Sequence, residues 1–412
     1  MRRCYGFGTM RPSDTNPHQG SFLEVLAVFT KLGLTSFGGP VAHLGYFRAE
    51  LVERRKWLDD ASYADLVALC QFLPGPASSQ TGIGLGIARA GIPGGFAAWL
   101  GFTLPSAFAL IAFAFGVNAI GDVSGAGWLQ GLKIVAVAVV AHAIWGMATR
   151  LTPDRPRITL AIVTAAAALI WPTSLAQVLI ILVGGLIGWR LLPESAPAPR
   201  EAQPFRIRRR VGAVLLVVFF ALLLGLPLLR EATGSFGVAI IDSFYRAGSL
   251  VFGGGHVVLP LLQAEVVPPG WVDNATFTAG YGAAQAVPGP LFTFSAFLGA
   301  ASQPGLAGLG TGLLALIAIF VPSFLLLLGV LPFWDRLRVM PPIQAALRGV
   351  NAAVVGILLA ALYTPVWTSA IFSATDFALA LGAFLLLAFW KWPAWLVVVL
   401  TALAGAAVPM FA

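Results

Sequence analysis

Residues 29–39 read FTKLGLTSFGG, and residues 244–254 read FYRAGSLVFGG, the same pattern 215 positions further along the chain. After one gap the register continues. Trp57 and Asp59 meet Trp271 and Asp273, Gln71 meets Gln285, and Pro74-Gly75-Pro76 meets Pro288-Gly289-Pro290. Pro105-Ser106 then matches Pro322-Ser323, and Lys133 matches Arg348. Matches in this number and order mean a duplicated unit.

The solvent of that unit follows from composition. With 58% hydrophobic and 10% charged residues, 412 residues carry too little polar surface to cover a water-soluble globule. Apolar runs of about 18 residues or more read as membrane helices. Stretches such as Val211 to Leu224 are apolar on every face, unlike the alternating strands of a membrane barrel. The fold class is therefore an all-α polytopic membrane protein. The net charge of +8 comes mostly from short loops beside apolar runs, a topology signal that does not point to nucleic acid. Cys4 and Cys70 form neither a disulfide framework nor a metal site, and no cofactor motif is found. Phosphate-loop patterns and intramembrane nucleophile or zinc spacings are missing too, which argues against an enzyme or an ATP-driven pump.

Thirteen hydrophobic segments are expected, six before and seven after a basic Pro/Ala linker at 193–210. Residues 1–20 read as a cytoplasmic tail, 21–192 as the first repeat, 211–230 as an extra helix and 236–412 as the second repeat. Because equivalent segments are seven apart, the repeats point in opposite directions across the membrane: an inverted repeat. With the N-terminus cytoplasmic and the C-terminus extracytoplasmic, thirteen plain spans leave Arg48, Arg54, Arg55 and Lys56 on the wrong side. Re-entrant hairpins formed by the first two segments of each repeat would return them to the cytoplasm. Full spans with central kinks remain the alternative.

The breaks themselves are the candidate site. Gly38-Gly39, Gly253-Gly254-Gly255 and the two Pro-Gly-Pro motifs interrupt apolar segments, and a restarting helix presents unpaired N–H groups and the positive end of its dipole. Ser78, Ser79, Gln80 and Thr293 follow these breaks and offer further donors, with Gln71 and Gln285 preceding them. Lys31 and Arg246, equivalent in the repeats, could compensate a dianion. His43, His256, Glu50 and Glu265 are the candidates for coupling to protons.

The stretches FGGPVAHLGYF at 37–47, QFLPGPASSQ at 71–80, FGGG at 252–255 and QAVPGPLFTF at 285–294 resemble the chromate ion transporter family in its long, two-repeat form. The resemblance implies export of chromate from the cytoplasm through the bacterial inner membrane, with sulfate as a competitor. Import of sulfate or a related oxyanion on the same architecture is the alternative, and a membrane scaffold or an intramembrane enzyme a remote one. Partners would be the oxyanion and the bilayer, and a homodimer is left open.

Overall fold

The computed structural model describes residues 20–37, 39–120, 127–192, 207–252, 255–337 and 339–407. The N-terminal tail to residue 19, linker residues 193–206, Gly38, Gly253, Gly254 and the last five residues lie outside it. All regular elements among the described residues are helical.

In the first repeat, α1 (Phe22–Thr35) ends at Ser36, and α2 (Gly39–Phe47), prolonged by a π-helical stretch at Arg48–Arg54, runs back. Phe29 meets Phe47 edge-on at 5.5 Å, so residues equally far from the break touch and the two helices form an antiparallel hairpin. A second hairpin follows. Asp59 caps α3 (Asp60–Phe72) by accepting from the Ser62 N–H, and these bonds hold its carboxyl below the usual carboxylate range. α4 (Ala77–Ile120) returns from the Pro-Gly-Pro motif, where a Cβ on Gly84 would meet the Leu66 side chain. At Ala90 and Gly91 α4 reverses. Gly91 has φ +67°, and Gly94 lies against the Gly86 carbonyl, so residues 92–120 form a separate long helix.

Both hairpins open at one end of the molecule. There Arg89, at the end of the second hairpin, binds Glu24 near the start of α1 at 3.0 Å and covers the Trp57 ring between the hairpins. α5 (Gly127–Leu151), α6 (Arg155–Ile170) and α7 (Ser174–Leu191) complete the repeat.

Among the described residues α8 (Arg209–Thr233) has no counterpart in the first repeat. Beyond it the pattern recurs: α9 (Phe236–Leu250), a 3-10 turn at Gly255–Val257, α10 (Val258–Val266) and α11 (Asn274–Ala284). A turn at Leu291–Thr293 leads into α12 (Phe294–Ala301), then α13 (Gly305–Val330) and the short α14 (Trp334–Leu337). α15 (Pro341–Ala361), α16 (Ala374–Ala388) and α17 (Ala394–Ala407) end the fold. Phe236 against Trp271 marks the mouth of this repeat's first hairpin.

The orientation of the repeats is visible where their long helices cross. Phe96 stacks on Phe324 at 4.7 Å and Trp99 meets Phe320, so the 92–120 helix and α13 run antiparallel. The repeats are inverted, with hairpin mouths at opposite ends. Of the thirteen segments expected from sequence, the first two of each repeat are these hairpins. Among the described residues five stretches are long and apolar enough to cross a membrane: Ala77–Val117, Gly127–Leu151, Arg209–Thr233, Gly305–Leu337 and Pro341–Trp367. The first of them contains the reversal at Gly91.

Lipid gives apolar side chains little reason to leave it, so helices hold together by close backbone approach at small residues. The repeats use this to exchange their ends: α6 and α7 pack on α15, and α16 and α17 pack on α5. A Cβ on Gly349 would sit 2.1 Å from the Gly184 carbonyl oxygen, and one on Gly131 would sit 2.3 Å from that of Thr401. Gly349→Leu and Gly131→Leu are each expected to cost about 1–3 kcal/mol by overpacking. The check is a lowered melting temperature in detergent, beside an unchanged one for Gly146→Leu, whose added carbon meets nothing within 4 Å.

Candidate functional site

All four hairpin tips meet at one place, halfway along the long helices. The Gly75 N–H donates to the Val251 carbonyl at 2.7 Å, and the Gly289 N–H donates to the Ser36 carbonyl at 2.9 Å. Gly75 and Gly289 are repeat equivalents, as are Ser36 and Val251, so the second hairpin of each repeat is fastened to the first hairpin of the other. Gly255 faces the Pro40 ring, which brings the two first hairpins into contact as well. Gly75 and Gly289 have φ +118° and +96°, a left-handed backbone that side chains rarely adopt. Ser323 borders Gly75 and Ser106 borders Gly289: a Cβ at either glycine would lie 3.3 Å and 3.0 Å from the respective hydroxyl.

The polar groups at the tips divide by sign. Several carbonyls already have donors: Ser36 and Val251 from the opposite glycines, Pro74 from the Gln80 amide, Pro76 from the Gln80 N–H, and Pro290 from Thr293. The chain restarts at Gly39, Ala77, Gly255 and Leu291, and helix starts leave their first N–H groups without intrahelical partners. Ser36, Ser79, Thr103, Ser295 and Ser323 are at most 3% exposed, and their hydroxyls find no protein acceptor. Buried polar atoms seldom go unpaired. With these five carbonyls engaged and these hydroxyls unpaired, beside an unpaired acceptor in the Gln80 amide oxygen, the arrangement suits a small anion that has shed part of its water.

The sequence candidates distribute as follows. Gly39, Pro74, Gly75, Pro76, Ser78, Ser79, Gln80, Gly255, Pro288, Gly289, Pro290 and Thr293 are brought together at the tips, while Gly38, Gly253 and Gly254 lie outside the described residues. Gln285 caps α11 beside them with its amide nitrogen unpaired, whereas Gln71 is exposed on the last turn of α3. His43 sits 3.3 Å from the Ser78 hydroxyl with its ring edge on Phe102, and His256 lies 2.6 Å from the Tyr281 hydroxyl. Each histidine thus ties the two hairpins of its own repeat together. Lys31 is exposed on α1. Arg246 is paired with Asp242, its guanidinium approaches Glu265 at 3.7 Å, and Arg230 from α8 adds contacts of 3.3 Å to Asp242 and 4.0 Å to Glu265. Glu50, the equivalent of Glu265, is held by Arg54 and Arg55 at 2.9 and 2.8 Å. Sequence reasoning did not assign Ser36, Thr103, Ser106 and Ser323, although the matched Pro-Ser pairs of the long helices were a signal for the last two.

Residues 23–189 and 238–406 each match the model of one protein family, described as chromate transporter. The chain belongs to the chromate transporter family. It is an integral, multi-pass membrane protein. It is 28% identical over 408 residues to a probable chromate transport protein of Synechococcus elongatus, covering 96% of this chain and 98% of that one. A chromate transport protein of Pseudomonas aeruginosa is 30% identical over 365 residues, 84% of this chain and 81% of its own. An uncharacterized transporter of Methanocaldococcus jannaschii is 28% identical over 352 residues, 82% of this chain and 83% of its own. No solved structure matches.

Two predictions follow from the geometry. Gly75→Ala and Gly289→Ala force a Cβ onto a left-handed backbone, a strain of about 1–3 kcal/mol, and each is expected to slow transport at least about tenfold. Gly116→Ala, with open space around it, is expected to leave the initial rate unchanged. In the charge cluster, Asp242→Asn takes the nearer of two carboxylates from the half-buried Arg246 and leaves it Glu265, an expected cost of about 1–2 kcal/mol. The double variant Asp242→Asn/Arg246→Gln should melt above either single variant, as read by thermal unfolding in detergent.

Proposed function

We propose that this protein exports chromate across the bacterial inner membrane, binding the tetrahedral oxyanion among the four hairpin tips. The observation carrying this reading is the set of unpaired buried hydroxyls there, beside tip carbonyls that already accept from the protein. Hydroxyls and backbone N–H groups match the acceptor-only surface of a tetrahedral dianion, and sulfate presents the same surface and competes.

The distribution of charge supports a cytoplasmic N-terminus. Arg48, Arg54, Arg55 and Arg89 lie at the mouth of the first repeat, and Trp334, after α13, reaches Asp65 of α3, which puts Arg336 at that same end. Arg150, Arg155 and Arg157, between α5 and α6, also belong to it. The opposite end carries Arg230, already engaged by two carboxylates. Positive charge concentrates on cytoplasmic faces. With an interior-negative potential, moving a dianion outward releases about 4.6 kcal/mol per 100 mV, twice the single-charge value. The field alone can therefore drive export, and exchange with protons would add to it.

Everted, energised vesicles holding this protein should accumulate radiolabelled chromate, lose that accumulation when the potential is collapsed, and show inhibition by sulfate. Entry of chromate or sulfate into intact cells, with no accumulation in everted vesicles, would make it an importer.

A further inference from the structure

The two halves of the centre are equivalent in position and unlike in chemistry. One is built on Gly289, whose N–H donates to the Ser36 carbonyl, and the other on Gly75, whose N–H donates to the Val251 carbonyl. The matched Pro-Gly-Pro and Pro-Ser pairs make Phe292 the counterpart of Ser78, Phe294 of Gln80, Phe320 of Thr103 and Ser323 of Ser106. Packing agrees with that register. A Cβ on Gly33 would stand 2.9 Å from the Phe102 carbonyl oxygen, and one on its counterpart Gly248 would stand 2.2 Å from that of Ile319.

In the Gly289 half, Ser36 and Thr103 are fully buried, and their hydroxyls have no partner among the described residues. A Cβ on Gly289 would lie 3.0 Å from both the Phe102 carbonyl oxygen and the Ser106 hydroxyl, and Ser106 donates to the Thr103 carbonyl, so these residues gather around one glycine. Ser78 joins them through His43, whose ring meets Phe102 edge-on and lies 3.3 Å from the Ser78 hydroxyl. An imidazole that donates to Ser78 leaves this hydroxyl its own proton to give. In the Gly75 half the same positions are held by Val251, Phe292 and Phe320, each at most 1% exposed, and the two rings meet at 5.9 Å. Ser295 and Ser323 run the other way, since their counterparts Thr81 and Ser106 bond to carbonyls. Ser323, however, shares Gly75 with the Gln80 amide, whose oxygen is an unpaired acceptor and repels an anion.

We propose that the oxyanion binds off the axis that relates the repeats, in the Gly289 half, with Ser36, Ser78 and Thr103 as its side-chain donors. The Phe292–Phe320 pair plugs the other half, so the chain holds one ion where its duplication would suggest two. A tetrahedral dianion offers acceptors alone, which the hydroxyls of the first half can meet and the rings of the second cannot. The proposal rests on the oxyanion reading above and adds which residues of the centre carry it.

Calorimetric titration of the purified full chain in detergent with sulfate, and then with chromate, should fit one ion per chain. Ser36→Ala and Thr103→Val should each weaken binding at least about tenfold, the loss expected for a hydrogen bond to a charged group. At the equivalent positions of the other half, Val251→Ser and Phe320→Leu should leave affinity within twofold. Thr103→Val also removes a buried hydroxyl that has no partner, so the ion-free variant should melt no lower than the wild type, which separates lost binding from lost folding. A lower melting temperature would mean that this hydroxyl bonds within the protein, against the proposal. Two ions per chain, unweakened binding by Ser36→Ala and Thr103→Val, or equal weakening by Thr103→Val and Phe320→Leu would overturn the proposal and leave the oxyanion reading standing. A wild type that binds neither ion would overturn both.

Discussion

Everything in this molecule is arranged around two hydrogen bonds, Gly75 N–H to Val251 O and Gly289 N–H to Ser36 O. A helix broken at membrane depth exposes backbone groups where no water is available to pair them, and such breaks persist only when buried in protein. Here each repeat satisfies the other's break. The composition of the motif suits the task, because proline has no N–H: in Pro74-Gly75-Pro76 and Pro288-Gly289-Pro290 the glycine is the sole backbone donor, and it makes the cross-repeat bond. Neither repeat alone could bury its tips this way, which is why two inverted copies share one centre.

That constraint also decides the electrostatics. A hairpin tip joins the negative end of one helix to the positive end of the next, so by dipoles alone four tips would nearly cancel. The balance is tipped by hydrogen bonding, since the carbonyls of Ser36, Val251, Pro74, Pro76 and Pro290 accept from named protein groups while helix-start N–H groups and the hydroxyls of Ser79, Thr103, Ser295 and Ser323 remain available. A site of neutral donors has a further advantage for passage. An unpaired buried arginine would hold a dianion strongly, and conduction needs binding weak enough for release. Arg246, the equivalent of Lys31, is neutralised by Asp242 and Glu265.

How much of this was legible in the chain depended on whether the feature is written in side-chain identity or in backbone geometry. The duplication, the inversion and the four breaks are carried by Gly, Pro and Trp at fixed offsets, so they could be read directly. Hairpins and kinked spans predict the same residues, and only contacts such as Phe29 with Phe47 separate them. The exchange of terminal helices between repeats was hidden because α5 and α17 show no preferred apolar face, and their interface is marked by close contacts at Gly127, Gly131 and Gly405. The carbonyls of Ser36 and Val251 could not be assigned at all, because every residue has one. Lys31 and Arg246 stand 215 positions apart in the repeat register, but their surroundings differ for a reason outside the repeat.

That reason is α8. The first repeat balances Glu50 with Arg54 and Arg55 from the end of its own hairpin, whereas the residues that follow Glu265 run Val266 to Gly270 without a basic side chain. On the side of the membrane where loops are poor in positive charge, that compensation has to come from elsewhere. α8 delivers it as Arg230, which contacts both Glu265 and Asp242, and Asp242 stands where the first repeat has Ala27. The added carboxylate and the added arginine thus enter as a pair and leave the cluster at two charges of each sign. The helix whose odd number inverts the second repeat also supplies the counter-charge that the inverted position requires.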